Sequence, residues 1–170
     1  MEINDLIRFD IKTPIGSLVA IASEQNLVSL SFKENSSYIN VKYSQNQLTQ
    51  DLQNQIYDYF NGRLIKFNIP IYQAGTEFEM LVWNYLKKIP FGKTISYKEQ
   101  AVNIYKEKAF RAVANANAKN NILILVPCHR VIKSDKSIGG YSCGDNIKQT
   151  LLNHEKYVCN NTLLHLNNNF

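Results

Sequence analysis

Cysteine and histidine are scarce in this 170-residue chain, with three of each, and neither occurs before residue 128. Cys128, Cys143 and Cys159 are odd in number and widely spaced, which fits free thiols in a reducing compartment better than a disulfide framework. Short-interval Cys/His ligand pairs are missing too. That spacing argues against structural zinc, and no metal or cofactor is expected. No window approaches the uninterrupted apolar length of a membrane span, and the N-terminus lacks the basic region, apolar core and cleavage site of a signal peptide. The expectation is an intracellular protein, cytoplasmic or, in a eukaryote, nuclear, and monomeric. Hydrophobic content of 45% with 11% aromatics excludes general disorder.

What is present is unevenly distributed. Residues 1–75 hold six basic against seven acidic side chains, so residues 76–170 carry +6 of the net +5. A polyanion is a natural partner for that half, although a basic surface serving only solubility fits the number equally well.

The first half reads as a small α+β domain, residues 1–74. Leu6–Ile11 and Leu18–Ala22 flank turn chemistry at Thr13-Pro14-Ile15-Gly16, and a third strand is expected at Leu27–Phe32. Lys33–Gln47 reads as loop. Leu48, Leu52, Ile56, Tyr59 and Phe60 then recur at helical spacing before Gly62, and Ile65–Ile71 reads as a short extended run. Histidine, cysteine and clustered carboxylates are absent here, so the expected role is scaffolding.

From Gly75 the pattern turns helical, opening a second domain, residues 75–170. Thr76 with Glu79 and Ser96 with Glu99 are capping boxes, the first leading Phe78, Val82, Tyr85, Leu86 and Ile89 along one face up to Pro90. Trp83 beside that face reads as core. A short helix ending near Tyr105 and another over Lys108–Lys119 form a helix-turn-helix, whose second helix commonly enters a DNA groove. That second helix is nearly all small side chains. They would permit a close approach to another surface, or simply allow tight packing on a neighbouring helix. Asp145–Lys156 is expected as a last helix, followed by a poorly ordered Asn-rich tail from Asn160.

Between these helices lies the stretch with the most chemistry. Ile122–Val126 reads as a buried strand, ended by Pro127 and followed by Cys128, His129 and Arg130, with the glycine-rich Ile138–Gly144 beyond. A cysteine attacks as thiolate, and a nearby imidazole or positive charge supplies the necessary pKa depression. Neighbours on a strand face opposite ways, so His129 would reach Cys128 through water, with Glu155 or Asp145 as its orienting acceptor. Metal binding and a Cys-His hydrolase are the competing readings; the lack of paired ligands counts against the first and the adjacency of Cys128 and His129 against the second.

Pro127-Cys128-His129-Arg130-Val131, preceded by a helix-turn-helix with Arg111 and Asn120 and followed by Gly139-Gly140-Tyr141-Ser142 and Leu151-Leu152-Asn153-His154-Glu155, resembles the O6-alkylguanine-DNA alkyltransferase family over about residues 75–157. The resemblance implies a ribonuclease-H-like α+β domain followed by a mostly helical domain with the acceptor cysteine. It implies stoichiometric transfer of an alkyl group from guanine O6, with thymine O4 as a secondary candidate, in double-stranded DNA to the protein itself. Carried over by position, Cys128 is the acceptor, His129 activates it through water and Glu155 orients His129. Tyr97 hydrogen-bonds the guanine ring. Arg111 fills the gap left by the extruded nucleotide, with Ala112, Ala114 and Asn115 on the same DNA-binding helix. Asn120 is a structural hinge, Tyr141 and Ser142 line the pocket, and Lys148 lies near it. The alternatives in function are a helix-turn-helix damage sensor that binds without transfer, and a thiol hydrolase.

Three departures from the family pattern stand out. Tyr105-Lys106-Glu107 replaces its usual Gly-x-Pro turn, Ala114 a common glycine in the recognition helix, and Cys143 a usual glycine in the pocket loop. The last of these is expected to narrow the pocket or to add an oxidisable thiol near Cys128.

Overall fold

The computed structural model describes residues 5–32, 38 and 40–167, apart from the side chains of 162–167. Contacts divide the chain into two compact units, Met1–Ala74 with Asn121–Leu125, and Gly75–Asn120 with Val126–Phe170. The division differs from a single cut near residue 75, because five residues just ahead of Cys128 pack with the first unit.

In that unit β1 (Ile7–Thr13), β2 (Gly16–Ala22), β3 (Leu27–Ser31) and β4 (Lys42–Tyr43) form one sheet in the order β3-β2-β1-β4. β1/β2 and β2/β3 are antiparallel, whereas β4 runs parallel to β1. The β1/β2 turn closes with the Thr13 hydroxyl donating to the Gly16 carbonyl, and Gly16 takes φ 124°, open to glycine alone among common residues. Helix α1 (Gln47–Phe60) starts where Asn46 and Thr49 exchange capping bonds of 2.9 Å each. Its Leu48, Leu52, Ile56 and Tyr59 are buried, as the spacing requires.

Two expectations change here. β4 lies within the stretch read as loop, of which residues 33–37 and 39 fall outside the described residues. Ile65–Ile71 is irregular apart from one bridge, Ile71 to Leu27. The alternation of Ile65, Phe67, Ile69 and Ile71 is there, but Pro70 has no N–H to give a ladder.

The expected strand Ile122–Val126 is also a single bridge, Ile122 to Leu30, followed by a turn. Leu30 N–H donates to Asn121 O at 2.8 Å and Leu123 N–H to Leu30 O at 2.9 Å. Ile124 then takes φ 71°, and the ladder ends. Ile122, Leu123 and Ile124 are at most 1% exposed, so the apolar run did report burial. Burial by itself does not distinguish a strand from a packed turn.

The second unit holds α2 (Glu77–Leu86), β5 (Ile95–Ser96), α3 (Tyr97–Asn103), α4 (Phe110–Ala118), β6 (Val131–Ile132) and α5 (Asp145–Asn167). β5 and β6 form a short parallel pair. Both capping boxes are formed, at Thr76/Glu79 and Ser96/Glu99. Trp83 is core, donating from Nε1 to Ala116 O at 2.8 Å. Between α3 and α4, Asn117 Nδ2 donates to Gln100 Oε1 at 2.7 Å, and both amides are buried. That bond fixes the angle of the helix-turn-helix from inside.

The turn at 105–107 is made without glycine. Tyr105 itself takes φ 59°, and a single 3-10 turn, Glu107–Ala109, leads into α4. Helix α5 continues to Asn167, past the expected end at Lys156 and through most of the tail read as disordered; 168–170 lie outside the described residues. Asparagine costs a helix only a few tenths of a kcal/mol per residue relative to average formers, roughly, which a helix already nucleated over three turns tolerates.

Candidate active site

Cys128 opens a 3-10 turn, Cys128–Arg130, instead of ending a strand. Pro127 supplies the break, and Cys128 N–H donates to Val126 O at 2.9 Å while Arg130 N–H donates to Pro127 O at 3.0 Å. The thiol is 4% exposed. Asn120 Nδ2 donates to its Sγ at 3.1 Å and to Val126 O at 2.7 Å, so one amide joins the end of α4 to the cysteine turn. Burial pushes the Cys128 thiol up to about 11, against the lowering pull of the Asn120 amide and the Lys148 ammonium. The resting group is a thiol, and attack requires a base.

His129 is fully buried, and its Nε2 lies 2.8 Å from Glu155 Oε1. Burial lowers its pKa, outweighing the raising effect of Glu155, so the ring is neutral near pH 7. Its Nδ1 has no hydrogen-bond partner among the described residues. Glu155 is equally buried and accepts from Arg130 Nε at 2.9 Å, Arg130 Nη2 at 2.9 Å and Gly92 N–H at 2.9 Å as well as from the imidazole. Burial alone would raise the Glu155 carboxyl, but the bonds from His129 and Arg130 win and hold it down at about 2. Arg130 is fixed in turn by Nη1 donating to Ile89 O at 2.7 Å, with its guanidinium 5.6 Å from the Phe91 ring. A buried carboxylate is thus paired and saturated with donors, which is what keeps it ionised.

Cys128 also lines a narrow cleft together with Tyr97, Ala114, Asn117, Ala118, Gly140, Tyr141 and Ser142. Tyr97 stands at the first turn of α3, positioned by the Ser96 cap. Burial raises its phenol pKa, so it is a hydrogen donor at neutral pH. Lys148, from α5, is wholly buried and donates to Val131 O at 2.6 Å and more weakly to Tyr97 Oη at 3.4 Å. Burial brings its ammonium down to about 8, with Cys128 and Asp145 opposing. Gly139, at φ 67°, lies against Tyr97 and the Lys133 stem, with about 3.3 Å left for any added Cβ.

The fold therefore brings Cys128, Tyr97, Ala114, Tyr141 and Ser142 to one cleft, joins Asn120 to Cys128 and Lys148 to Tyr97 by hydrogen bonds, and pairs His129 with Glu155. Arg111, Ala112 and Asn115 lie on the exposed side of α4. Asp145, the other candidate acceptor for His129, is not its partner; its Oδ1 accepts from Tyr141 N–H at 3.1 Å. Sequence reading did not assign roles to Arg130, Gly92 or Asn117. Arg130 stands inside the motif but gave no sign of its partner 25 residues on, and Gly92 looked like a turn residue only. Cys143 is partly buried on the loop and is not among the residues lining the cleft.

Comparison with known proteins covers nearly the whole chain. The family model for the 6-O-methylguanine DNA methyltransferase DNA-binding domain matches residues 77–157, and that for its ribonuclease-like domain matches residues 10–73. A Methanosarcina barkeri methylated-DNA–protein-cysteine methyltransferase is 38% identical over 149 residues, 86% of this chain and 94% of the relative. The constitutive Bacillus subtilis methylated-DNA–protein-cysteine methyltransferase is 34% identical, covering 85% of this chain and 92% of its own. Among solved structures, the Mycobacterium tuberculosis O6-methylguanine methyltransferase superposes with a TM-score of 0.84 at 35% identity, over 89% of this chain and 93% of that one. A complex of the M. tuberculosis OGT protein with DNA gives 0.83 at 36% identity, over 90% and 93%. With both family models in sequence order and the α+β-then-helical architecture in common, this chain belongs to the methylated-DNA–protein-cysteine methyltransferase family.

Proposed function

We propose that this protein repairs O6-alkylguanine in duplex DNA by moving the alkyl group, once and irreversibly, onto Cys128. Residues 75–170 bind the DNA and accept the group; residues 1–74 are scaffold. The observation that carries the reading is a buried thiol in the lining of a cleft, next in sequence to an imidazole whose proton is fixed on the far nitrogen by Glu155. Its setting is the compartment that holds the DNA, the cytoplasm of a cell without a nucleus.

The alkylated oxygen is out of reach within a stacked duplex, so the nucleotide must leave the stack, at a cost of roughly a few kcal/mol. Arg111 fills the gap it leaves, and the small side chains Ala112, Ala114 and Asn115 let α4 approach the groove closely. Minor-groove contact carries little sequence information, which suits repair at any site. In the cleft, the Cys128 proton passes through a water to His129 Nδ1, and Sγ attacks the alkyl carbon. The carbon–O6 bond breaks and its electron pair withdraws into the guanine ring, where a hydrogen bond from Tyr97 Oη meets the developing charge. Asn120 holds Sγ and the turn in register. The products are an S-alkylcysteine and a normal guanine, with the thiol proton finally on the base. A thioether has no leaving group that these residues activate, so the protein is consumed.

Incubation with a duplex containing O6-methylguanine, read by intact mass and peptide mapping, should show one methyl per protein at Cys128. A folded, reduced sample that binds the duplex yet gains no methyl would establish a sensor instead; turnover of a thioester or amide substrate would establish the hydrolase.

A further inference from the structure

Phe110 begins helix α4 with its side chain 44% exposed, and the Arg111 guanidinium lies 5.8 Å from its ring centroid. Positions 110, 114 and 117 repeat on one stripe of an α-helix. Ala114 and Asn117 of that stripe line the cleft above Cys128. Phe110 therefore stands one turn N-terminal to Ala114 on that stripe, next to the cleft-lining residues, and its side chain leans toward the helix start. The other exposed positions of α4 are Arg111, Ala112, Asn115 and Ala118, all small or polar. A large aromatic ring in their midst has lower helix propensity than alanine and leaves apolar surface in water. Neither local folding nor core packing accounts for it.

We infer that Phe110 is a second wedge, which enters the duplex together with Arg111 and stacks on the base beside the extruded nucleotide. The inference rests on the function proposed above. Extrusion leaves two base faces without a stacking partner. A guanidinium covers one and supplies positive charge among the phosphates, whereas a phenyl ring offers an apolar π-face to the other. Apolar wedges of this type are a recurrent means of holding a minor groove open. Stacking is indifferent to base identity, since every base has a π-face, and so the wedge adds affinity without adding sequence preference. The contact between the Arg111 guanidinium and the Phe110 ring also holds the two side chains together before DNA arrives, so fewer rotamers are lost on insertion.

The test compares single-turnover transfer from a methylated duplex with transfer from the free base O6-methylguanine, which needs no extrusion. For Phe110→Ala the ratio of duplex to free-base rate should fall about tenfold or more, the equivalent of one lost stacking partner. Phe110→Trp should restore the ratio, and Phe110→Leu, apolar but without a π-face, should not. In a duplex carrying 2-aminopurine beside the lesion, the wild-type protein should quench the exposed base more than Phe110→Ala does. An unchanged ratio in Phe110→Ala overturns the wedge while leaving alkyl transfer intact. A parallel loss of both rates also overturns it, by showing that the ring supports the fold or the site. Absence of transfer from either substrate in the wild type overturns the proposed function itself.

Discussion

His129 Nε2 lies 2.8 Å from Glu155 Oε1, and because an ionised carboxylate only accepts, that contact puts the imidazole proton on Nε2 and leaves Nδ1 as the base. The tautomer is thus set 26 residues away from the cysteine turn, on a helix that follows the glycine-rich loop. Glu155→Gln should uncouple this arrangement. A glutamine amide presents either a donor or an acceptor, so the tautomer is no longer enforced, and transfer should slow by about 10²-fold or more. Removing the charge also leaves buried Arg130 without its counter-ion, at a cost of roughly 3–5 kcal/mol. Quench-flow transfer and urea denaturation measure the two effects separately, and a variant of normal rate would dismiss the orienting role.

Stability should fall on acidification through one identifiable group. The Glu155 carboxyl is held at about 2 in the fold, below its ordinary 4.5. A depressed carboxylate contributes fully above its unfolded pKa and loses that contribution as pH falls through the folded one. The window is therefore pH 4.5 down to 2. Lys148 gives a slope of the same sign in a separate range, since burial lowers its ammonium from 10.5 to about 8 and so penalises the charged form. The unfolded chain then binds the extra proton between those values, and this residue makes stability rise with pH from 8 to 10.5. Urea midpoints across both ranges should show each slope, with Glu155→Gln flattening the acid one and Lys148→Met the alkaline one.

The helix-turn-helix carries a strained residue that can be relieved. Tyr105 is 86% exposed and sits at φ 59°, so its side chain pays for a left-handed conformation without a packing return. The left-handed state costs roughly 1–2 kcal/mol for a side chain with a Cβ, and glycine recovers this less some entropy of the unfolded chain. Tyr105→Gly should raise stability by about 0.5–1 kcal/mol, seen as a melting temperature higher by a few degrees. A lower melting temperature would mean that the ring holds the turn.

Much of the candidate site was legible in the sequence because its members cluster in short motifs. The capping boxes at Thr76 and Ser96 placed α2 and α3, and with them Tyr97. The Pro-Cys-His-Arg run named the thiol and its imidazole. What stayed hidden was the local form of the backbone around that thiol. Ile122–Val126 has the composition of a strand, but it forms a bridge to Leu30 at Ile122 and the chain then turns at Ile124. Cys128 reached its place through a 3-10 turn tied by Asn120, a tertiary arrangement with no periodic signature. Arg130 and Gly92 were hidden for a related reason: their partner, Glu155, is distant in sequence, and several donors converging on one carboxylate leave no mark on spacing.

Gly92 offers the sharpest test of that convergence. It takes φ 72° and donates its N–H to Glu155 Oε2 at 2.9 Å, while the Cys159 Sγ, one turn further along α5, occupies the space a Cβ would need. Gly92→Ala therefore suffers twice, from the left-handed backbone and from the collision with Cys159, and both displace the donor from Glu155. The loss should be roughly 2–4 kcal/mol in stability, combining strain with overpacking. Transfer should slow as well, since a carboxylate short of one donor holds His129 less firmly. Cys159→Ala removes the collision but not the strain. The double variant should recover the steric part alone, so the two substitutions should couple by about 1–3 kcal/mol in a denaturation cycle. Simple additivity would show that Cys159 yields to the new methyl group and that Gly92 is needed for its backbone conformation only.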